Sequence, residues 1–138
     1  MKLTDYLAEF EGAEPEDALE MLLEFSDKLP QASAGRASLG VSAGCRVQEC
    51  QTPVILWVDV QDGVVRLEAE VPEQSPTVRG FVALLVNGLT GVSPQDVACL
   101  PDNLLPQLGL QKTLGMTRER GFAGILAQIK RRVAQHAG

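Results

Sequence analysis

The dipeptide Asp62-Gly63 constrains the fold of this chain more than any other sequence feature. It lies between two stretches rich in apolar and β-branched residues. Glycine accepts a positive φ at little cost, so an Asp-Gly pair in this setting predicts a two-residue hairpin turn. The flanking stretches, 54–60 and 64–71, are therefore predicted to be antiparallel strands. In the second of them apolar and charged residues alternate, which indicates one covered face and one face toward water. Trp57 is on the wetter face, where we expect it to pack against a loop rather than dock a partner.

Helical patterns lie on both sides of these strands. Before them, apolar residues at helical spacing predict helices over 4–11 and 15–29, followed by an exposed, mobile connection over 31–44 and a short strand over 45–49. After them, two serine-proline pairs predict helix starts, because serine is a good N-cap and proline suits the first helical turn. These pairs are Ser75-Pro76 and Ser93-Pro94.

The remaining C-terminal part predicts one short and one long helix. Residues 100–110 contain two prolines and a glycine, which leave room for one or two helical turns, and a last helix is predicted to begin near Thr117. Strands grouped between helices indicate the α+β class. We expect a three-stranded antiparallel sheet with helices packed mainly on one face, in a single domain over 1–138.

The acidic balance of the chain limits its partners. The 138 residues carry a net charge of −6 and a sequence pI of about 4.7. This charge disfavours nucleic-acid binding, which needs a basic face to displace counterions from phosphates. No apolar run approaches the length of a membrane span, and the start lacks an apolar signal region, so we expect a cytoplasmic protein without membrane contact.

Several classes of enzyme require residues that this sequence lacks. The only histidine is His136, in a stretch that we expect to fray, which argues against a Ser-His-Asp or Cys-His hydrolase. The glycines before the strands are in the wrong order for a phosphate-binding turn, which opens a helix. The sequence therefore directs attention to its cysteines.

The three cysteines, Cys45, Cys50 and Cys99, permit two interpretations. An odd number disfavours a disulfide framework, so free thiols are expected. As an alternative, the three could together bind a metal ion or a nascent cluster, although no pair has C-x-x-C spacing and a fourth ligand is lacking. For Cys99 we expect a buried apolar thiol between Ala98 and Leu100.

Cys50 carries the strongest indication of chemistry. Pro53 cannot donate to a sheet ladder and favours an extended residue before it, so Cys50 is expected in a loop just outside the sheet edge. A free cysteine, with a pKa near 8.5, is only about 3% thiolate at neutral pH. Such a thiol suits a receiving role in which a partner supplies an activated sulfur. Arg46 and Arg118 are the cations expected to favour the thiolate if they lie close to it.

The run Arg46-Val47-Gln48-Glu49-Cys50-Gln51-Thr52-Pro53-Val54, with Trp57 shortly after it, resembles the cysteine motif of the SufE family of sulfur-acceptor proteins. Further matches follow in the family's order. Helix starts of the family resemble Val78-Arg79-Gly80-Phe81, Ser93-Pro94-Gln95-Asp96, and Leu114 to Arg118 with Gly121-Phe122. The resemblance spans nearly the whole chain and implies a three-stranded antiparallel sheet with helices packed on it, like the U-type iron–sulfur scaffold proteins.

The resemblance also implies a function and partners. SufE proteins accept persulfide sulfur from a pyridoxal-phosphate-dependent cysteine desulfurase, stimulate that enzyme, and pass the sulfur to an iron–sulfur assembly scaffold. The acceptor cysteine of the family corresponds to Cys50 and its arginine at the last helix to Arg118. Arg46 and Gln51 are expected to complete the surroundings of the thiolate. No cofactor is expected in this chain, because the pyridoxal phosphate belongs to the desulfurase.

Some positions near the cysteine depart from the family pattern. Glu49 stands where the family usually has glycine, and its carboxylate would oppose ionisation of the thiol. Thr52 and Pro53 stand where serine and glutamine are common. Cys45 lies outside the pattern: it could resolve a persulfide, form a reversible disulfide with Cys50, or pack on its strand, and we favour packing.

Overall fold

A computed structural model describes residues 2–31, 45–46 and 52–137, with 45–46 and 136–137 described as backbone only. In chain order, the elements of this part of the chain are α1 (Lys2–Phe10), α2 (Pro15–Ser26), β1 (Cys45–Arg46), β2 (Ile55–Gln61), β3 (Val64–Glu70), α3 (Pro76–Leu89), α4 (Pro94–Ala98), α5 (Leu105–Leu108) and α6 (Gln111–Ala137). The predicted α+β class is confirmed. The predicted mobile connection lies outside the described residues from position 32 onward.

The sheet is built on the hairpin of β2 and β3. These strands pair antiparallel in a register that starts at the turn, where Gln61 lies opposite Val64. Both turn residues have positive φ, 54° at Asp62 and 78° at Gly63. This is the primed two-residue turn that the Asp-Gly pair predicts, and it sets which side chains share each face of the sheet.

The third predicted strand is described over two residues. Cys45 lies opposite Leu56 and Arg46 opposite Ile55, antiparallel to β2. The rest of the predicted strand, 47–49, lies outside the described residues. A third strand of the predicted length therefore stays a prediction, whereas the antiparallel hairpin is confirmed.

The two faces of the hairpin are covered differently. Leu56 and Val58 of β2 and Leu67 of β3 are buried in the core that α3 and α6 form with the sheet. Successive side chains of a strand point to opposite faces, so Trp57 lies on the other face. It is nevertheless only 3% exposed, which confirms packing for this residue. Its indole N–H is buried and has no hydrogen-bond partner among the described residues.

Helix α3 forms the centre of the core and approaches both N-terminal helices closely. A Cβ added at Gly80 would collide with the carbonyl oxygen of Leu22 in α2. One added at Gly88 would lie 2.8 Å from the Cβ of Leu3 in α1. Glycine at these two positions therefore lets three helix backbones pack together, which places the end of α2 next to the start of α3.

Helix α2 ends at Ser26, three residues before the predicted end. Side chains of α3 donate hydrogen bonds to the carbonyls of this segment. Arg79 Nε donates to the carbonyl of Ser26 at 2.9 Å, and Asn87 Nδ2 donates to the carbonyl of Lys28 at 3.0 Å. Carbonyls at a helix C-terminus have no partner within the helix, and these donors supply one from another element. Helix α1 also differs from its prediction, because it begins at Lys2 rather than at residue 4.

The two serine-proline pairs behave differently. Ser93 caps α4, since its hydroxyl accepts a hydrogen bond from the backbone N–H of Asp96 at 3.2 Å. Ser75 makes no such bond at the start of α3. Its Oγ instead accepts a hydrogen bond from Thr52 Oγ1 at 3.4 Å. The predicted side-chain cap at Ser75 is wrong, because the segment that leads into β2 engages this hydroxyl.

Helix α6 is interrupted at Gly115, where φ is 79° and ψ is 172°. One turn over 111–114 therefore precedes the long part of the helix over 116–137, close to the predicted start of the last helix. On the buried side of the long part, Phe122 stacks on Phe81 of α3 with ring centroids 4.1 Å apart. This contact joins α6 to the central helix of the core.

Candidate functional site

The residues predicted to form the site are described to different extents. Cys50 and Gln51 lie outside the described residues, and Arg46 is described only as backbone opposite Ile55. Arg118 is an exposed residue near the start of the long part of α6. The structure therefore leaves the grouping of these four residues as a prediction.

The segment that follows Cys50 in the sequence is attached to the start of α3. Thr52 is half-buried and donates its hydroxyl hydrogen bond to Ser75. Pro53 is exposed and has no N–H to leave unpaired, and Val54 is fully buried. This segment is thus held at two points before the sheet begins.

An open depression of about 730 Å³ lies beside Pro53. Its walls come from the chain after α2, the start of β2, the end of β3 and the first turn of α3. Apolar side chains that line it include Leu29, Pro53, Ile55 and Val71, and its charged side chains are Glu70, Glu73 and Arg79. The depression therefore borders the segment that follows Cys50.

Arg79 lies at this depression and was not predicted as a site residue. Its Nε donates to the carbonyl of Ser26 at 2.9 Å, and its Nη1 donates to the carbonyl of Val71 at 2.6 Å. The cation also lies at the C-terminal end of α2, where the helix dipole favours positive charge. Sequence reasoning used this residue only as part of a helix start. The signal that it overlooked is that Arg79 is the one charged residue in the sequence of α3.

Arg118 does not line this depression. It follows Gly115 by three residues, on a part of α6 that also includes the exposed Met116. The predicted proximity of Arg118 to the thiol of Cys50 is therefore not tested by the described contacts.

Cys99 is exposed, and the prediction of a buried thiol is wrong. It is the C-cap residue of α4, and the inward positions on either side of it are filled by Val97 and Leu100, which are buried. The thiol lies 4.0 Å from Gln95 Nε2. It lines a second depression, of about 770 Å³, that shares no described lining residue with the first.

The described residues provide neither a metal-binding cluster nor a membrane-spanning helix. Among these residues, no group of three or more His, Cys, Asp or Glu side chains is arranged to hold a metal ion. The side chains of Cys45 and Cys50 are not in that set, so the alternative of a three-cysteine metal or cluster site stays a prediction. No helix in the described ranges combines the length and apolar character needed to cross a bilayer.

Known proteins resemble this chain over most of its length. The family model described as "SufE: Fe-S metabolism associated domain" matches residues 4–133. An uncharacterized SufE-like protein of Mycobacterium tuberculosis is 37% identical over 134 residues, which cover 96% of this chain and 92% of the relative. The cysteine desulfuration protein SufE of Plasmodium falciparum is 28% identical over 82 residues, which cover 59% of this chain and 28% of the relative.

A solved structure is similar to this chain in fold and in part of its sequence. The solution structure of a hypothetical protein from Thermus thermophilus matches with a TM-score of 0.83 and 34% sequence identity, over 99% of this chain and 96% of that chain. The region matched by the family model contains the run 46–54 and therefore Cys50.

Proposed function

Because the chain belongs to the SufE family, whose domain is associated with Fe–S metabolism, we propose that it is a sulfur-transfer protein of iron–sulfur cluster assembly. In this proposal Cys50 accepts the persulfide sulfur of a pyridoxal-phosphate-dependent cysteine desulfurase, the protein stimulates that enzyme, and the sulfur passes to an assembly scaffold. The observation that carries the proposal is the family match over 4–133, which includes Cys50 and its motif. The name of the Plasmodium relative, a cysteine desulfuration protein, supports the same chemistry.

The transfer step is a thiol–persulfide exchange. The thiolate of Cys50 attacks the outer sulfur of the desulfurase persulfide, a new S–S bond forms on Cys50, and the old S–S bond breaks as the desulfurase cysteine leaves as a thiolate. The outer sulfur keeps its oxidation state, so the step needs no external oxidant or reductant. The proton that Cys50 loses balances the proton that the leaving thiolate takes up.

Charged and polar neighbours have separate roles in this proposal. Arg46 and Arg118 favour the thiolate of Cys50 through their positive charge, and Gln51 can donate a hydrogen bond to it. Arg79 is engaged with two backbone carbonyls, so we assign it a positioning role. It holds the end of α2 next to Val71, the residue after β3, and Val71 lines the depression beside Pro53.

The depression beside Pro53 supports a receiving role for this side of the protein. Its apolar side chains, among them Leu29, Ile55 and Val71, offer a surface against which a persulfide is kept from reductants and oxidants in solution. The depression is open, so a partner can reach it. The proposal assigns this chemistry to a single cytoplasmic domain without a cofactor of its own, and without a nucleic-acid or membrane partner.

Stimulation of a cysteine desulfurase by each cysteine variant tests the proposal. Alanine formation from cysteine is measured with the unmodified protein and with the variants Cys50→Ser, Cys45→Ser and Cys99→Ser. We expect Cys50→Ser to abolish stimulation and the other two variants to retain it. Full stimulation by Cys50→Ser with loss in Cys45→Ser would move the acceptor role to Cys45. Stoichiometric metal that all three cysteines are needed to hold would favour a cluster scaffold instead.

A further inference from the structure

The start of the long part of α6 presents an exposed apolar side chain to solvent. Met116 is 77% exposed, the highest value among the large apolar side chains that the structure describes. Arg118 is exposed too, although two steps along a helix turn the side-chain direction by about 200°. Glu119, between these two directions, is half-buried and faces the chain before α5, so Met116 and Arg118 lie on the sides of the helix that are open to solvent. We call residues 111–120 the α6 knob.

Gly115 lies between the buried and the exposed part of this segment. Its φ of 79° lies in the left-handed region that favours glycine, and it interrupts the helix. Leu114, immediately before it, is only 9% exposed and anchors the preceding turn in the core. Met116, immediately after it, faces solvent. The interruption thus directs an apolar side chain outward at a point fixed to the core by its neighbour.

The knob is cationic on an acidic protein. Its exposed cations are Lys112, Arg118 and Arg120, and its one carboxylate is Glu119. Glu119 accepts a hydrogen bond from Asn103 Nδ2 at 2.8 Å, which holds this acid against the chain before α5. The knob therefore has a net charge of +2 by its sequence, while the whole chain has −6. Methionine and arginine are both enriched at the centres of protein–protein interfaces.

We propose that the α6 knob is a docking element that inserts into an apolar recess rimmed by carboxylates on the cysteine desulfurase. An exposed apolar side chain with three exposed cations near it in the sequence is complementary to an apolar recess that has negative charge around it. The inference rests on the proposed function, because Arg118 belongs both to the knob and to the cations that are proposed to favour the thiolate of Cys50. Met116 supplies the apolar anchor, and the cations set orientation and the rate of association.

The first test measures the dissociation constant of the desulfurase complex, with the Cys50→Ser protein as the reference so that binding is measured without sulfur transfer. We expect Met116→Glu in this background to weaken binding at least about tenfold, as removal of a buried anchor does. Leu23→Glu is the matched control, since Leu23 is the other exposed large apolar residue described, at 36%, and lies on α2. Equal effects of the two substitutions would overturn the inference. Both variants should keep the melting temperature of the reference.

The second test reverses the charge of the knob. The double variant Lys112→Glu with Arg120→Glu should slow association with the desulfurase and flatten its dependence on salt, because the long-range attraction is lost. Arg131→Glu is the control, an exposed arginine on the same helix beyond the knob. Association that responds equally to both variants would contradict a carboxylate-rimmed recess.

Two other binding partners of the knob, a second copy of this chain and a lipid surface, would give different results. A dimer of this chain in sedimentation experiments, or binding to phosphatidylglycerol vesicles, that requires Met116 while the desulfurase complex does not, would overturn the inference. Failure of the proposed function is distinguishable: Cys50→Ser would then stimulate the desulfurase normally, whatever Met116→Glu does to binding. Loss of stimulation in Cys50→Ser with unchanged binding by Met116→Glu would defeat the docking inference alone.

Discussion

At the scale of single residues, Arg79 determines how the described walls of the site are held. Its guanidinium donates to two carbonyls from separate elements, Ser26 at the end of α2 and Val71 after β3. Hydrogen bonds from a charged donor are stronger than those between neutral groups. One side chain therefore fixes the distance between the end of α2 and the residue that follows β3, beside the depression next to Pro53.

Substitution of Arg79 by methionine should lower the free energy of unfolding by about 2 kcal/mol, because two partly buried carbonyls lose a donor. Urea unfolding followed by the fluorescence of Trp57, the only tryptophan of the chain, provides the measurement. Arg131→Met is the control: Arg131 is exposed, and its replacement should change stability by less than about 0.5 kcal/mol. Equal losses in both variants would show that the two carbonyl contacts do not stabilise the fold.

At the scale of elements, two identical sequence signals have different structural outcomes. Ser93 bonds to the backbone N–H of Asp96, and Ser75 bonds to Thr52 instead. We expect Ser93→Ala to lower the free energy of unfolding by about 1 kcal/mol, the usual cost of losing a helix cap. Ser75→Ala should cost about 0.5 kcal/mol or less, because the contact at 3.4 Å is a weak hydrogen bond. Thermal or urea unfolding of the two variants measures these losses. A larger loss of unfolding free energy for Ser75→Ala than for Ser93→Ala would contradict the assignment of the cap.

The close approach of α2 and α3 makes a second prediction at this scale. Gly80→Ala should lower the free energy of unfolding by about 3 kcal/mol, because the new Cβ would meet the carbonyl oxygen of Leu22, which belongs to the hydrogen bonding of α2. Gly63→Ala is the same chemical change in the hairpin turn, with a φ of 78° and nothing within 4 Å of the added Cβ. It should cost only about 1 kcal/mol, from the left-handed backbone alone. A smaller loss for Gly80→Ala than for Gly63→Ala would contradict this packing.

Elements whose causes are local were predictable from the sequence. The Asp62-Gly63 turn, the alternation along β3 and the cap at Ser93 depend on residues a few positions apart, and all are present in the structure. The contact at the end of α2 was not predictable, because Arg79 lies 53 residues from Ser26. Contacts between distant segments leave no periodic signal in the sequence.

The candidate site was predictable to a smaller extent. Chain chemistry and the family resemblance indicate Cys50, and the position of that thiol stays a prediction. Cys99 was expected to be buried from its apolar neighbours, yet α4 directs Val97 and Leu100 inward and leaves the thiol exposed. Arg79 was missed because its partners are backbone carbonyls of other elements, which no side-chain motif encodes.

At the scale of the whole molecule, the two depressions separate an exposed thiol from the proposed acceptor region. Cys99 lines one, Pro53 lines the other, and no described residue lines both. In a variant with Cys45→Ser and Cys50→Ser, Cys99 should react with a maleimide at about the same rate in native and unfolded protein, because it is exposed. In the otherwise unmodified chain, Cys99→Ser should leave the rate of sulfur uptake from a desulfurase within about twofold. Maleimide labelling that requires denaturant would contradict the exposure of Cys99.

The central claim is that a cysteine desulfurase delivers a sulfur atom to Cys50. Intact mass spectrometry after incubation with the desulfurase and cysteine, followed by peptide mapping under non-reducing conditions, tests it most directly. We predict the added mass of one sulfur atom on the peptide that contains Cys50, retained in Cys45→Ser and Cys99→Ser and absent in Cys50→Ser. An unmodified mass in the presence of an active desulfurase, or a sulfur atom mapped to another cysteine, would contradict the account.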